Sequence, residues 1–62
     1  QEYFVDNLVD VWEALDGRSR VYRVRWLGYN PDEDTWEAEE NLPKHFIRRY
    51  WKSKRIATQQ GI

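Results

Sequence analysis

The 62-residue chain has no cysteine, no methionine, only one histidine, three glycines and two prolines. It therefore has no disulfide to stabilise a small fold and no Cys/His set for a zinc ion, and the lack of cysteine is compatible with a reducing compartment. No apolar run approaches the roughly 20 residues of a membrane span, and no basic and apolar leader opens the chain. We expect a soluble domain without a metal or another cofactor, cut from a longer protein.

The hydrophobic core must come from aromatic side chains. A domain of this size buries only about 60% of the surface of its unfolded chain, so it needs a dense core. Four Trp, four Tyr and two Phe are available for it. Such a domain leaves little room for a closed catalytic cleft, and His45 has neither a nucleophile nor a third orienting group in a recognisable pattern. We predict a binding module and no enzyme.

The charges are distributed unevenly along the chain. Residues 1–42 hold all eleven acids and four arginines, a net charge of −7, whereas residues 43–62 hold six basic residues and no acid, a net charge of +6. The first part favours a cationic partner and the second favours phosphate or an acidic surface. We interpret four acids of the densest stretch as a solvated face: Asp32, Asp34, Glu39 and Glu40.

Two segments joined by an Asp-Gly turn predict a β-hairpin. Residues 4–13 are rich in Val and Leu with imperfect alternation, which indicates a strand with a bend near Asn7. Gly17 follows Asp16, and this pair is a strong hairpin signal because glycine reaches positive φ without a Cβ penalty. In residues 19–27, apolar side chains alternate with arginines. One face holds Tyr22, Val24 and Trp26, and the wetter face holds Val21, Arg23 and Arg25.

The remaining segments predict a turn, a third strand and a helix. Residues 28–32 read as the turn, and residues 34–38 as a short strand whose Trp36 points into the core. After Pro43 the apolar period becomes helical, with Asn41 available as a cap. This gives a helix of about three turns packed across a small sheet, followed by a flexible tail at residues 57–62. Phe46, Ile47, Tyr50 and Trp51 lie on one helix face, and Lys44, Arg48, Lys52 and Arg55 on the opposite stripe.

Three blocks of the sequence resemble the chromodomain family. They are Glu2-Tyr3-Phe4-Val5, Tyr22-Arg23-Val24-Arg25-Trp26-Leu27-Gly28-Tyr29, and Glu33-Asp34-Thr35-Trp36-Glu37 followed by Asn41-Leu42. The resemblance runs from Glu2 to about Trp51 and assigns residues 1–56 to one domain. It implies an α+β fold, a three-stranded antiparallel curved sheet with one carboxy-terminal helix packed across it. Ala38 and Pro43 depart from the common pattern.

The resemblance also implies a ligand, a histone tail carrying a methylated lysine. The family's aromatic cage falls on Tyr3, Trp26 and Tyr29, and its acidic neighbour on Glu33. A trimethylammonium group cannot donate a hydrogen bond, so its recognition relies on aromatic faces. The tail is expected to add as a strand beside the amino-terminal segment. The residues expected to contact the peptide are Glu2, Phe4, Val5, Glu33, Glu37 and Asn41.

Other interpretations remain open at this point. Without the family pattern, Tyr3, Trp26 and Tyr29 would be interpreted as residues of the hydrophobic core. The basic stripe of Lys44, Arg48, Lys52 and Arg55 suggests a nucleic-acid module, such as a retroelement integrase tail, that binds DNA or RNA weakly. A third alternative is a shadow-type dimerisation domain, which typically lacks the cage. The main expectation is a monomeric nuclear reader in chromatin, connected with heterochromatin, gene silencing and transcription regulation. The resemblance does not decide between the ninth and the twenty-seventh lysine of histone three, because both follow Ala-Arg in the tail.

Overall fold

The protein forms a three-stranded antiparallel sheet followed by one long helix. The computed structural model describes the backbone of residues 3–60 and the side chains of residues 3–54. Its strands are β1 (Val5–Glu13), β2 (Arg20–Trp26) and β3 (Thr35–Ala38), in the order β1-β2-β3, and its helix is α1 (Lys44–Gln60). Single 3-10 turns lie at Pro31–Glu33 and Glu39–Asn41. The predicted α+β fold is confirmed.

The hairpin of β1 and β2 has the bend and the turn that its sequence predicts. The register shifts between Val5 and Asn7, and again between Leu8 and Asp10. Such bulges bend a strand and increase its twist. In the turn, Gly17 has a φ of 70° and donates its N–H to the carbonyl of Ala14 at 3.0 Å.

The core lies between the inner face of the sheet and α1. Tyr22 and Val24 of β2 are fully buried, and Leu8, Leu42 and Tyr50 surround them. The ring of Tyr50 stands edge-on to that of Tyr22, with 5.8 Å between centroids. Several partly buried side chains close the periphery of this core, namely Val5, Val11, Trp26, Phe46, Ile47 and Trp51.

The buried phenol of Tyr22 joins the sheet to both segments that cross it. Its hydroxyl donates to Oε1 of Glu39 at 2.5 Å and accepts the indole N–H of Trp51 at 3.0 Å. Burial raises the pKa of Tyr22, and the hydrogen bond to Glu39 adds to this effect. The prediction that Glu39 belongs to a solvated face is therefore wrong.

The prediction that Trp36 belongs to the core is also wrong. Trp36 is 49% exposed and lies directly opposite Arg23 of β2. Because Arg23 alternates with the buried Tyr22 and Val24, Trp36 lies on the outer face of the sheet. Trp12, whose role the sequence left open, is 58% exposed and lies opposite Val21, so it belongs to the same outer face.

The helix differs from its prediction at both ends. Asn41 lies in a 3-10 turn, and Pro43 is the residue directly before α1, so Asn41 is not the helix cap. The helix has 17 residues, which exceeds three turns, because neither glycine nor proline interrupts the sequence between Pro43 and Gly61. It includes residues 57–60, although the flexibility of a tail there stays a prediction. Within residues 3–60, no helix combines the length and apolar character needed to cross a bilayer.

Candidate functional site

Three aromatic rings from separate parts of the chain converge at one end of the sheet. Tyr3 precedes β1, Trp26 ends β2, and Tyr29 lies in the turn that follows. The ring of Tyr3 lies 6.2 Å from that of Trp26 at an angle of 72°, and 5.7 Å from that of Tyr29 at 36°. We call these three residues the cage. Together with Glu33, Thr35 and Glu37 they line a cavity of about 450 Å³.

Backbone hydrogen bonds bring the cage segments together. The N–H of Leu27 donates to the carbonyl of Phe4 at 2.8 Å, which holds the segment containing Tyr3 beside the end of β2. The N–H of Tyr29 donates to the carbonyl of Trp26 at 3.1 Å and closes the next turn. Gly28 has a φ of 83° in that turn, a conformation that strains residues with a Cβ. This turn places Tyr29 beside the other two rings.

A chain of side-chain hydrogen bonds fixes the indole of Trp26. Its N–H donates to Oγ1 of Thr35 at 2.9 Å, and the hydroxyl of Thr35 donates to Oε2 of Glu37 at 2.8 Å. Sequence reasoning did not identify Thr35. Thr35 lies opposite Val24, so it is a same-face diagonal neighbour of Trp26. Thr35 can be recognised as a neighbour of Trp26 only once the register of β2 and β3 is known.

Two of the three cage rings are exposed to solvent. Tyr3 is 57% exposed and Tyr29 is 36% exposed, whereas Trp26 is half-buried against the core. Partial burial raises the pKa of Tyr29, and the nearby Tyr3 and Glu33 raise it further, so the phenol stays neutral at physiological pH. Aromatic faces and carboxylates around one cavity form an environment that attracts an organic cation. The reading of Tyr3 and Tyr29 as core rings is excluded.

The other predicted peptide contacts lie at different distances from the cage. Glu33 and Glu37 line the cavity itself. Phe4 is 59% exposed, Val5 pairs with Trp26 at the start of β1, and Asn41 is exposed after β3. These three do not line the cavity, and Glu2 lies outside the described residues. Their contact with a peptide stays a prediction.

A buried carboxylate anchors the loop beside the cage. Asp34 accepts hydrogen bonds from Nε of Arg25 at 2.7 Å, from its Nη2 at 2.9 Å, and from Nε of Arg23 at 2.9 Å. Its side chain is only 2% exposed, so the prediction of a solvated Asp34 is wrong. We call this group the Asp34 clamp. It lies between Glu33 and Thr35, and it therefore holds two residues of the cavity lining in place.

The basic stripe of α1 remains exposed. Lys44, Arg48 and Lys52 are exposed and form no ion pair with the part of the chain whose side chains are described. The acids that form ion pairs among the described residues, Glu13, Asp34 and Glu39, pair with arginines of β2 instead. Arg55 belongs to α1 by its backbone, but its side chain lies outside the described residues.

The lone histidine shows no sign of a metal site. His45 is exposed, and its ring lies 4.3 Å from that of Phe46. Among the described residues, no group of three His, Cys, Asp or Glu side chains has the arrangement of a metal site.

Comparisons with known proteins identify the family of the chain. The sequence model of the Chromo (CHRromatin Organisation MOdifier) domain family matches residues 3–53. The chain is 45% identical over 42 residues to the "Histone-lysine N-methyltransferase, H3 lysine-9 specific" of Schizosaccharomyces pombe, which covers 68% of the chain and 9% of that protein. It is 38% identical over 55 residues to the "Chromatin-associated protein SWI6" of Cryptococcus neoformans var. grubii, which covers 86% of the chain and 24% of that protein. The chain thus spans about a quarter or less of these relatives.

The Asp34 clamp generates a prediction about stability and pH. The hydrogen bond from Arg25 holds the pKa of Asp34 below its ordinary value. A carboxyl whose pKa is lower in the folded state stabilises the fold above its unfolded pKa, and this stability is lost as the pH falls through the folded pKa. We expect Asp34→Asn to melt at a lower temperature than the parent at neutral pH. The difference should persist down to about pH 5 and shrink below about pH 4.

Thermal unfolding followed by circular dichroism between pH 2 and 7 measures this difference. Asp32→Asn is the matched control, because Asp32 is an exposed acid two residues away. The control should melt close to the parent throughout. A difference between the parent and Asp34→Asn that did not change with pH would contradict an ionic clamp.

Proposed function

The chain belongs to the chromodomain family of chromatin reader domains, and we propose that it binds a histone tail through a methylated lysine held in the cage. The observation that carries this proposal is the convergence of Tyr3, Trp26 and Tyr29 on one cavity whose remaining lining is acidic or hydroxylic. The methyltransferase activity in the name of the fission yeast relative belongs to that longer protein. We propose the reader role only for the domain that this chain contains.

The chemistry of the cage suits a quaternary ammonium group. A trimethylammonium head has no N–H, so hydrogen bonds cannot select it, whereas cation–π attraction contributes roughly 0.5–2 kcal/mol per ring. The ring of Tyr3 lies 6.2 and 5.7 Å from its two neighbours. At this spacing a single cation contacts the rings within the roughly 6 Å range of the interaction. The hydrogen bond from Trp26 to Thr35 pre-orients one of these walls.

The flanking peptide is proposed to bind by strand addition. Its path runs between the segment before β1 and the 3-10 turn Glu39–Asn41, where its main chain finds hydrogen-bonding partners. Glu2, Phe4, Val5, Glu37 and Asn41 are the proposed flanking contacts. The name of the fission yeast relative refers to lysine 9 of histone H3. We propose the histone-three tail, di- or trimethylated at the ninth or twenty-seventh lysine, bound by a monomeric domain in the nucleus.

A second candidate function is weak nucleic-acid binding by the basic stripe. The observation in its favour is that Lys44, Arg48 and Lys52 are exposed and without an ion pair in the described part of the chain. Positive side chains one helical turn apart attract a phosphate backbone without reading its sequence. The third alternative, a shadow-type dimerisation domain, is disfavoured because such domains typically lack the cage.

One prediction concerns the removal of one wall of the cage. Tyr3→Ala should weaken binding of a trimethyl-lysine histone-three peptide by about 0.5–2 kcal/mol, which is roughly 2-fold to 30-fold in Kd, because one cation–π face is lost. The fold should persist because Tyr3 is 57% exposed. Isothermal titration calorimetry measures the affinity, and circular dichroism measures the fold.

Trp12→Ala is the matched control for Tyr3→Ala. Trp12 is an aromatic of almost equal exposure, 58%, on the outer face of the sheet. It should bind the peptide as the parent does. Equal losses of affinity in the two variants, or binding of the unmethylated peptide as strong as that of the trimethylated one, would reject the cage.

A separate prediction concerns the methylation state. Mono- and dimethyl-lysine retain an N–H that a carboxylate at the cavity accepts, and a hydrogen bond between charged groups is worth roughly 1.5–3 kcal/mol when well formed. Glu33→Gln should therefore weaken binding of the mono- and dimethylated peptides more than that of the trimethylated one. A panel of the three peptides in calorimetry measures the preference. Equal losses for all three states would remove Glu33 from the site.

The basic stripe is tested with a short DNA duplex. If the stripe binds phosphate, association of the parent should be weak, independent of sequence and steeply dependent on salt. Arg48→Glu combined with Lys52→Glu should abolish it, while the affinity for the methylated peptide changes no more than about twofold because exposed charges are screened beyond roughly 8–10 Å. Fluorescence anisotropy at low salt measures the affinity for the duplex and for the methylated peptide. No duplex binding by the parent would exclude this function.

A further inference from the structure

A second cavity lies at the end of β2 opposite to the cage. It has a volume of about 730 Å³ and is bordered by the end of the β1–β2 turn, the end of β3 and the first turns of α1. It shares no lining residue with the cage cavity. We call it the hairpin–helix groove. The cage does not use it, and the proposed path of the histone peptide shares with it only the 3-10 turn Glu39–Asn41.

The floor of the hairpin–helix groove is apolar. It is lined by Val21 of β2, Ala38 of β3, Leu42 after the second 3-10 turn, and Ile47 of α1. Leu42 is buried in the core, whereas the other three are only half-buried. Burial of apolar surface of this kind contributes about 25 cal/mol per Å², so the groove gains from accepting an apolar side chain. A recess of a few hundred cubic ångströms suits a side chain better than the wide surface of a duplex.

The rim of the groove carries a positive charge that the domain does not neutralise. Arg18, Lys44 and Arg48 border the groove and form no ion pair with any described side chain. Arg20 also borders it, but Glu13 at 3.2 Å and Glu39 at 3.9 Å neutralise that guanidinium. Among the acids at the rim, Glu40 alone is left without an ion pair within the described residues. The rim therefore carries three basic side chains and one acidic side chain that form no ion pair with the described residues.

We propose that the hairpin–helix groove docks an acidic polypeptide segment that carries an apolar side chain. Its carboxylates would pair with Arg18, Lys44 and Arg48, and its apolar side chain would cover the floor between them. Charge complementarity selects an anionic partner. The apolar floor favours a polypeptide over nucleic acid, since a phosphate backbone gains nothing from covering it.

The proposal predicts which variants weaken docking. The probe is a synthetic ten-residue peptide with a central Leu-Ile pair flanked by Asp and Glu, added to the isotope-labelled domain and followed by amide chemical shifts. The shifts should be confined to residues 18–21, 38–42 and 44–48. Arg18→Glu and Arg48→Glu should each weaken binding by about fivefold or more, because each reverses a charge at the rim. Both side chains are exposed, so the fold should persist.

Two matched controls separate the groove from the other surfaces. Lys52→Glu reverses a charge on the same helix outside the groove, and it should change the affinity less than twofold. Arg18 lies in the hairpin, outside the basic stripe, so a nucleic-acid surface on the helix does not require it. Tyr3→Ala should also leave docking unchanged, which makes the outcome independent of the methyl-lysine proposal.

Four outcomes would overturn the proposal. Absence of shifts with the acidic peptide would show that the groove has no such ligand. Equal shifts with a peptide in which Gln and Asn replace the acids would show that charge does not select it, and equal shifts with Ser in place of the Leu-Ile pair would show that the floor is unused. Equal weakening by Lys52→Glu, with a duplex shifting the same amides, would assign the groove to nucleic acid.

Discussion

The hydroxyl of Tyr22 is the contact on which the arrangement of the domain depends. It lies at the centre of the fully buried part of β2 and bonds at once to Glu39, before the helix, and to Trp51, within it. A hydroxyl buried without a partner costs roughly 1–3 kcal/mol, so the segment after β3 and the helix are both constrained to meet it. The segment 39–42 is thereby drawn across the sheet. The cage and the hairpin–helix groove lie at opposite ends of β2, at Trp26 and at Arg20 respectively.

The alternation of β2 serves the cage from both faces of the sheet. Its inner residues end with Trp26, whose indole is held by Thr35. Its outer residues Arg23 and Arg25 reach Asp34, next to Thr35 in the chain. Adjacent residues of an extended segment point to opposite faces, so Asp34 is held from the outer face of the sheet and Thr35 from the inner face. The cage is pre-organised by the strand that supplies one of its walls, and a pre-organised site loses less free energy to ordering when a ligand binds.

Local patterns in the sequence were sufficient for the elements but not for every side chain. The hairpin at Asp16-Gly17, the bend near Asn7 and the helix follow from turn chemistry and apolar period, and the three strands with their helix were predicted correctly. Trp36 and Asp34 were misplaced because a strand of four residues is too short for its own pattern to show which face is inward. That face is set by the register with β2, a contact between residues distant in sequence. For the same reason Thr35 was missed, whereas the cage residues came from a family resemblance.

The near-zero net charge of the chain conceals two surfaces of opposite sign. Asp34 and Glu39 are satisfied internally, by arginines of β2 and by Tyr22, and they take no part in attracting a ligand. The acids at the cage cavity are Glu33 and Glu37, and neither has a cationic partner in the described structure. At the start of the helix the imbalance is reversed, because the ion pairs among the described side chains all use arginines of β2, and Lys44 and Arg48 form none. Exposed charges are screened beyond roughly 8–10 Å, so the two proposed ligands, a cation at the cage and an anion at the start of the helix, would each meet a surface of opposite sign.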